Sequence, residues 1–324
     1  MNFSELNEQL YKQNKRAISR SISLVENDDI LAVKLLKEIH KKTGGAYRIG
    51  ITGPPGAGKS TLTNQLTKLL LKQNKKIGII AVDPTSPFTG GAVLGDRIRM
   101  GEIGTHPNVF IRSMATRGSL GGLSSKAIDA ADIIDASGYD YIIFETVGVG
   151  QSELDIAKTA DTTMVVLVPE SGDSIQAMKA GLMEIADFFV LNKSDRPGSD
   201  KALTSLQTTL MFREHDENSY LPKIMRCVAS ENSGVEEILN EINNHRKYLN
   251  DSNNFILRRK LNNKIRIKEI VETNLSIDIW NDKRNDLLDT KTNDLSSTSL
   301  SPYLTAETII EDYKKDILSK PNLL

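Results

Sequence analysis

Gly53-Pro-Pro-Gly-Ala-Gly58-Lys59-Ser60 is the stretch that decides the fold of this 324-residue chain. It matches the pattern G-x-x-x-x-G-K-[S/T], follows an apolar run at 47–52 and opens a segment of helical pattern at 59–73. In this context the glycines let backbone N–H groups approach a phosphate, and the helix N-terminus favours negative charge. The motif therefore predicts a phosphate-binding P-loop made by Gly53, Pro55, Gly56, Ala57, Gly58, Lys59, Ser60 and Thr61.

Two side chains of this loop have predicted chemical roles. Lys59 is expected to reach the β- and γ-phosphates of a nucleotide, which makes it a candidate catalytic residue, and the Ser60 hydroxyl is expected to coordinate Mg²⁺. The alternative is a chance match on a tight strand-to-helix turn. The strand before the loop and the helix after it argue against that alternative.

Six further β-rich runs follow the P-loop strand, and segments long enough for helices separate most of them. Strands that are apolar throughout and alternate with helices indicate a parallel sheet covered on both faces. The expected fold class is therefore α/β: a P-loop NTPase domain with a mostly parallel sheet and helical extensions at both ends. We expect an N-terminal helical extension over 1–45, the nucleotide domain over 46–240 and a C-terminal helical extension over 241–324.

Asn192-Lys193-Ser194-Asp195 follows the apolar run at 187–191 and fits the N-K-x-D pattern that recognises guanine. Asp195 can accept hydrogen bonds from N1–H and the 2-amino group of guanine, whereas adenine offers neither donor. The alternative is a polar turn in which Asp195 caps a helix. Ala229 and Ser230 follow another apolar run, where a backbone N–H commonly reads guanine O6.

Acidic residues end two other predicted strands. Asp83 follows the run at 77–82, and Glu145 follows the run at 139–144 and precedes Gly148. Such strand ends face the ligand in parallel sheets. Most small G proteins have D-x-x-G at the second of these positions, where the Asp holds Mg²⁺ indirectly and the Gly senses the γ-phosphate. Here Glu145 replaces the Asp, so Glu145 is a candidate metal-binding and catalytic residue and Gly148 is a candidate γ-phosphate sensor. The alternative is that Asp83 and Glu145 cap the following turns. No glutamine immediately follows Gly148, so the water-positioning residue of Ras-like proteins has no obvious counterpart.

Charge and cysteine content exclude several classes of protein. The 41 Lys and Arg against 42 Asp and Glu give a net charge of −1, which argues against nucleic acid or a membrane surface as a partner. Cys227 is the single cysteine, so an internal disulfide is excluded. With no signal peptide and no apolar run long enough to cross a bilayer, the expected location is cytoplasmic.

The C-terminal region is expected to be helical and to form a homodimer. A basic stretch at 241–273, which includes Arg258 and Arg259, is expected to be an amphipathic helix with a solvated basic face, because Leu257, Leu261 and Ile265 are spaced four apart. Residues 285–302 are rich in Asp, Asn, Ser and Thr and predict a flexible loop. A last amphipathic helix at about 305–318 is expected to bury four side chains: Ile309, Ile310, Tyr313 and Ile317.

Several longer stretches together resemble the MeaB/ArgK-type GTPases, the G-protein chaperones of adenosylcobalamin-dependent methylmalonyl-CoA mutase. The resemblance is dense from about 20 to 240. The matching segments are ISLVEN (22–27), GPPGAGKST (53–61), VDPTSPFTGGAVLGDRIRM (82–100), RGSLGG (117–122), ETVGVGQSE (145–153), GDSIQAMKAGLMEIAD (172–187) and NKSD (192–195).

The resemblance implies a GTPase that dimerises around GTP or GDP and uses Mg²⁺. It implies that Asp83, Asp96 and Glu145 join Ser60 around the metal, and that 168–179 is a partner-responsive switch ending at Lys179. The family gates cofactor loading and protects or reactivates a B12-dependent acyl-CoA mutase. No direct cobalamin binding by the chaperone is expected.

Two alternatives from other classes stay open at this point. A GTP-dependent nickel-insertion factor would share the fold but needs metal-binding Cys or His near the switches, where Cys227 stands alone and His106 has no partner nearby. A small-molecule kinase would use the P-loop, but the N-K-S-D motif and the lack of an evident lid argue against it.

Overall fold

The computed structural model describes residues 2–84, 101–116, 122–146, 158–171, 180–211, 219–293 and 301–319. The chain forms two compact units, residues 1–262 and 263–324. None of the helices in the described ranges is long and apolar enough to cross a membrane.

A seven-stranded sheet forms the centre of the first unit, and every neighbouring pair of its strands is parallel. The spatial order is β3-β2-β4-β1-β5-β6-β7. The predicted parallel sheet is therefore confirmed. Its strands are β1 Tyr47–Thr52, β2 Ile77–Pro84, β3 Val109–Thr116, β4 Tyr141–Thr146, β5 Thr162–Leu167, β6 Phe188–Leu191 and β7 Ile224–Arg226.

Helices precede, separate and follow these strands, and one-turn 3₁₀ helices lie at His40–Lys42, Pro169–Ser171 and Ala229–Glu231. The described α-helices are α1 Phe3–Tyr11, α2 Lys15–Glu26, α3 Ile30–Ile39, α4 Lys59–Lys72, α5 Gly101–Gly104, α6 Gly122–Ala136, α7 Ala180–Ile185, α8 Ser199–Met211, α9 Val235–Asp251, α10 Asn254–Ile279, α11 Asp282–Asn293 and α12 Pro302–Ser319.

The central strands are buried on both faces because their side chains alternate between two helical layers. Ile49 and Ile143 face a core shared with α4 and α9. Ile142 and Phe144 face the opposite core, where α2, α3 and α6 pack. The N-terminal helices thus cover one face of the sheet, and the P-loop helix α4 covers the other.

The start of α10 departs from the predicted amphipathic pattern. Leu257 and Leu261, expected to be covered, are each 58% exposed. Arg258 and Arg259, expected on a solvated face, instead make paired hydrogen bonds to the carboxylates of Asp187 and Asp161, respectively. The spacing of the apolar residues predicted the wrong buried face of α10. Ion pairs with two aspartates that are distant in the sequence determine how the helix is rotated about its own axis.

In the second unit, the loop predicted at 285–302 is wrong for residues 285–293, which belong to α11. Asn281 caps this helix, since its Oδ1 accepts from the Arg284 N–H at 3.0 Å. The Arg284 side chain is buried and donates to Asp312 and Asp316 of α12. The cap and this ion pair hold a polar stretch helical despite its weak intrinsic propensity.

The prediction for α12 is correct for one side chain out of four. Ile309 is buried, whereas Ile310 and Ile317 are 45% and 49% exposed. Tyr313 is partly exposed, and its hydroxyl donates to Asp278 at 2.8 Å. The helix therefore faces its own unit largely through polar contacts, and much of its apolar surface is exposed.

Candidate nucleotide site

The P-loop joins β1 to α4 through glycines whose backbone conformations other residues rarely adopt. Gly53, Gly56 and Gly58 have φ of +134°, +76° and +87°. A Cβ on Gly53 would lie 2.1 Å from the carbonyl oxygen of Val166 in β5, and one on Gly58 would lie 2.3 Å from Nδ2 of Asn192. Both positions need glycine for space as well as for φ.

Lys59 begins α4 and is 94% buried. Its Nζ donates to the carbonyl oxygens of Gly53 and Pro54, at 2.7 and 2.9 Å. The ammonium group therefore lies directly over the loop that the sequence motif assigns to phosphates. A buried lysine that already binds backbone carbonyls of this loop is suited to take an anion there.

Ser60 and Glu145, two predicted metal ligands, are in direct contact. The Ser60 hydroxyl donates to Glu145 Oε1 at 2.5 Å, and the Glu145 side chain is buried. Glu145 is in register with Ile51 of β1 and Ala81 of β2, so the sheet places it at the carboxyl ends of the central strands. A hydroxyl and a carboxylate are oxygen donors of the kind Mg²⁺ takes, so the chemistry of this pair fits that ion.

The other predicted metal and switch residues are only partly described. Asp83 lies near the carboxyl end of β2, in register with Ala115 of β3. Asp96, Gly148 and Lys179 lie outside the described residues. Within the described ranges, no group of three or more His, Cys, Asp and Glu side chains is arranged to hold a metal ion.

Asn192 connects the predicted phosphate loop to the predicted base-recognition loops. The side chain is buried, and its Nδ2 donates to the Ala57 carbonyl at 2.8 Å. Its Oδ1 accepts from the Ala229 N–H at 3.0 Å and from the Cys227 thiol at 3.3 Å. One amide thus fixes three segments that are far apart in the sequence.

The rest of the N-K-S-D motif lies along the same loop. Lys193 has φ +56°, and its Nζ donates to the Gly56 carbonyl at 2.9 Å. Ser194 holds the loop on β6 through its hydroxyl, which donates to the Leu191 carbonyl. Asp195 is exposed, so its carboxylate is accessible to a base beside the P-loop.

The 229–231 turn completes this group of loops. Ala229 is buried and Ser230 is exposed, and both lie in the 3₁₀ turn after β7. The sequence predicts that these two residues belong to the site.

Cys227 is a site residue that the sequence analysis did not predict. Burial raises the pKa of the Cys227 thiol to about 12, so it stays protonated and donates to Asn192. A lone cysteine one residue after a strand carries no signal that would have revealed this contact.

The parallel sheet, the P-loop and the loops joined by Asn192 define a P-loop GTPase-like domain. The comparisons with known proteins specify the family. Residues 18–284 match the model of the family described as methylmalonyl Co-A mutase-associated GTPase MeaB. The chain belongs to this family of GTPases, whose ligand is GTP or GDP, and the resemblance seen in the motifs is confirmed.

Relatives and a solved structure agree with this assignment. The chain is 45% identical over 310 residues to a protein of Pyrococcus abyssi whose name describes it as a GTPase, covering 95% of this chain and 96% of that protein. It is 37% identical over 241 residues to GTPase ArgK of Escherichia coli, and the match covers 71% of this chain and 72% of that protein. A crystal structure titled LAO/AO transport system kinase superposes with a TM-score of 0.73 at 25% identity. The superposition covers 97% of this chain and 99% of that one.

Proposed function

We propose that this protein is a GTP-hydrolysing chaperone of an adenosylcobalamin-dependent acyl-CoA mutase of the methylmalonyl-CoA mutase type. The observation that carries the proposal is the family match over residues 18–284, whose description names association with that mutase. In this role the protein gates cofactor loading and protects or reactivates the mutase. The chaperone itself binds no cobalamin.

The geometry supports nucleotide binding at the P-loop edge of the sheet. Lys59 exchanges the carbonyls of Gly53 and Pro54 for β- and γ-phosphate oxygens, which stabilises the charge that develops during phosphoryl transfer. Ser60 and Glu145 hold Mg²⁺, together with Asp83 and Asp96. The metal supplies charge neutralisation at the phosphates when it is bound.

Asp195 selects guanine in this proposal, and Lys193 lies along the base. The backbone at Ala229 and Ser230 reads guanine O6, and Gly148 senses the γ-phosphate. Asn192 supports the arrangement because it holds the base loops against the P-loop. The base and phosphate contacts therefore form on one connected framework.

Hydrolysis is slow without the mutase in this proposal, because Lys179 reaches the phosphates only when the mutase docks on segment 168–179. The organisation we propose is a helical extension over 1–45, a GTPase domain over 46–240 and a dimerising extension over 241–324. The protein acts in the cytoplasm as a homodimer and binds neither nucleic acid nor membrane.

The test combines co-purification with turnover. A candidate B12-dependent mutase from the same source should co-purify with the protein in a manner that differs between GDP and a non-hydrolysable GTP analogue, and it should raise the GTPase rate.

Lys59→Ala should nearly abolish hydrolysis, while Lys179→Ala should retain the intrinsic rate and lose the stimulation. Lys201→Ala, at an exposed lysine of α8, is the matched control and should be stimulated like the wild type. A mutase that neither binds nor stimulates under any nucleotide would contradict the chaperone role.

The nickel-insertion alternative gains no support from the site. The thiolate is the form of cysteine that binds metal. The Cys227 thiol is buried, has a raised pKa and is committed to Asn192. We therefore do not propose that role.

A further inference from the structure

An ion pair joins the end of β5 to the candidate base-recognition loop. Arg196 Nη1 donates to Glu170 Oε1 at 2.5 Å. Glu170 lies in the 3₁₀ turn Pro169–Ser171, which Val168 connects to the end of β5, and Arg196 directly follows Asp195. Both side chains are about half exposed, at 47% for Arg196 and 52% for Glu170. The pair therefore borders the carboxylate that we assign to guanine recognition.

Arg196 has a second carboxylate within its electrostatic reach. Its hydrogen bond to Glu170 raises the pKa of the guanidinium above its ordinary value, and the nearby Asp195 charge acts in the same direction. A guanidinium forms strong forked hydrogen bonds with whichever carboxylate it meets. Without Glu170, the neighbouring acceptor for the fork is Asp195.

We infer that Glu170 is a specificity-determining positioning residue: it holds the Arg196 guanidinium and thereby keeps the Asp195 carboxylate available to the N1–H and 2-amino donors of guanine. This inference rests on the proposed GTP-binding function. If the oxygens of Asp195 already accept hydrogen bonds from Arg196, they accept more weakly from the N–H groups of the base. Loss of Glu170 should therefore lower discrimination by the base while leaving the phosphate contacts in place.

An effect of removing Glu170 on base selectivity could also pass through Lys193, and the test must distinguish this route from the route through Arg196. The positive charge of Lys193 also lowers the pKa of Glu170, and its Nζ holds the Gly56 carbonyl in the P-loop. Removing Glu170 therefore also alters the electrostatic environment of Lys193. An effect that passes through Lys193 would not depend on Arg196.

The experiment measures GDP and inosine diphosphate affinities by calorimetry at low salt, where exposed charges are least screened. Inosine diphosphate lacks only the 2-amino group, so the ratio of the two affinities reports the Asp195 contact. Glu170→Ala should weaken GDP binding about threefold to fivefold, the range of an exposed ion pair, and lower the ratio. The double variant Glu170→Ala with Arg196→Ala should restore both to near the wild-type values.

Glu8→Ala is the matched control, since it removes the exposed Glu8–Lys12 ion pair of α1. It should change neither affinity nor ratio, and thermal melts should show all variants folded. An unchanged ratio in Glu170→Ala, or a double variant that stays impaired, would overturn the inference. Wild-type protein that binds GDP no more tightly than ADP would instead refute the guanine site itself, and with it the proposed function.

Discussion

At the scale of single residues, Asn192 has the most consequential set of contacts in the candidate site. Its amide spans Ala57 of the P-loop and Ala229 after β7. The sequence motif identified Asn192 because N-K-x-D is a local pattern. The motif could not identify the partners, since Ala57 and Ala229 lie 135 and 37 residues away and only the folded sheet brings them together.

Asp195 carries the first prediction. Calorimetry should show wild-type protein binding GDP at least about tenfold more tightly than ADP, a difference of about 1.4 kcal/mol. Asp195→Asn should shift the preference towards xanthosine diphosphate, because the amide can donate to the additional carbonyl of xanthine. Lys201→Ala, at an exposed position of α8, is a control that should keep the preference for guanine. Equal GDP and ADP affinities in the wild type would contradict the assignment.

At the scale of elements, the start of α10 is fixed to the amino-terminal ends of β5 and β6. Asp161 precedes β5, and Arg259 donates to both of its carboxylate oxygens and to the carbonyls of Gly44 and Ala46. Asp187 precedes β6 and takes two hydrogen bonds from Arg258. The strands were predictable because each is a continuous apolar run. The orientation of α10 was not, because buried ion pairs leave no periodic pattern.

Removing Arg259 should therefore destabilise the first unit. Arg259→Ala leaves the buried Asp161 carboxylate and two carbonyls without these donors, and we expect a loss of about 3 kcal/mol in the free energy of unfolding. Lys260→Ala, at the exposed neighbouring position, should change it by less than about 0.5 kcal/mol. Urea denaturation measures both. Equal effects of the two variants would mean that the ion pair contributes little.

His245 in α9 makes stability depend on pH. Its Nδ1 lies 2.7 Å from Thr162 Oγ1 and its Nε2 lies 3.3 Å from Asp187 Oδ1. Burial lowers the pKa of His245 below its usual value of about 6.5, and Arg258 acts in the same direction, whereas the charges of Asp187, Glu241 and Asp161 oppose this shift. The folded state therefore favours the neutral ring, while the unfolded chain takes up a proton below about pH 6.5.

The stabilisation from neutral His245 is thus complete above about pH 6.5 and is lost as the pH falls from there towards the lower pKa of the folded state. At pH 5.5 the loss reaches up to about 1.4 kcal/mol. His245→Gln cannot titrate, so its unfolding free energy should fall less between pH 7.5 and 5.5 than that of the wild type. Parallel pH profiles for the two proteins would disprove this account.

At the scale of the whole molecule, the second unit exposes much of its apolar surface. Many exposed apolar side chains in one unit are typical of protein interaction sites. Among the described residues of this unit, the large apolar side chains that are more than 40% exposed are Ile267, Ile270, Val271, Leu275, Ile277, Trp280, Tyr303, Leu304, Ile310, Ile317 and Leu318. They support the proposed homodimer, although the sequence pattern had assigned Ile310 and Ile317 to the interior of the unit.

Truncation after Asn262 tests this proposal at the boundary between the two units. The cut keeps Arg258 and Arg259 in place, so the first unit should stay folded. Light scattering should report a dimer for the full chain and a monomer for residues 1–262. The Ile270→Asp variant, with a charge in the exposed apolar surface of α10, should weaken the dimer without truncation. A monomeric full chain would contradict the proposal outright.

The position of β1 in the middle of the sheet has a consequence for the newly made chain. Tyr47 of β1 pairs with Tyr141 of β4, and Ile49 pairs with Thr162 of β5. The P-loop strand thus has no neighbour to pair with until about a hundred more residues have been translated, which takes about 5–20 s at ordinary elongation rates. The pairing of β1 with β4 and β5 is therefore a slow, non-local event. A GTPase of this architecture therefore completes the centre of its sheet late in its own synthesis.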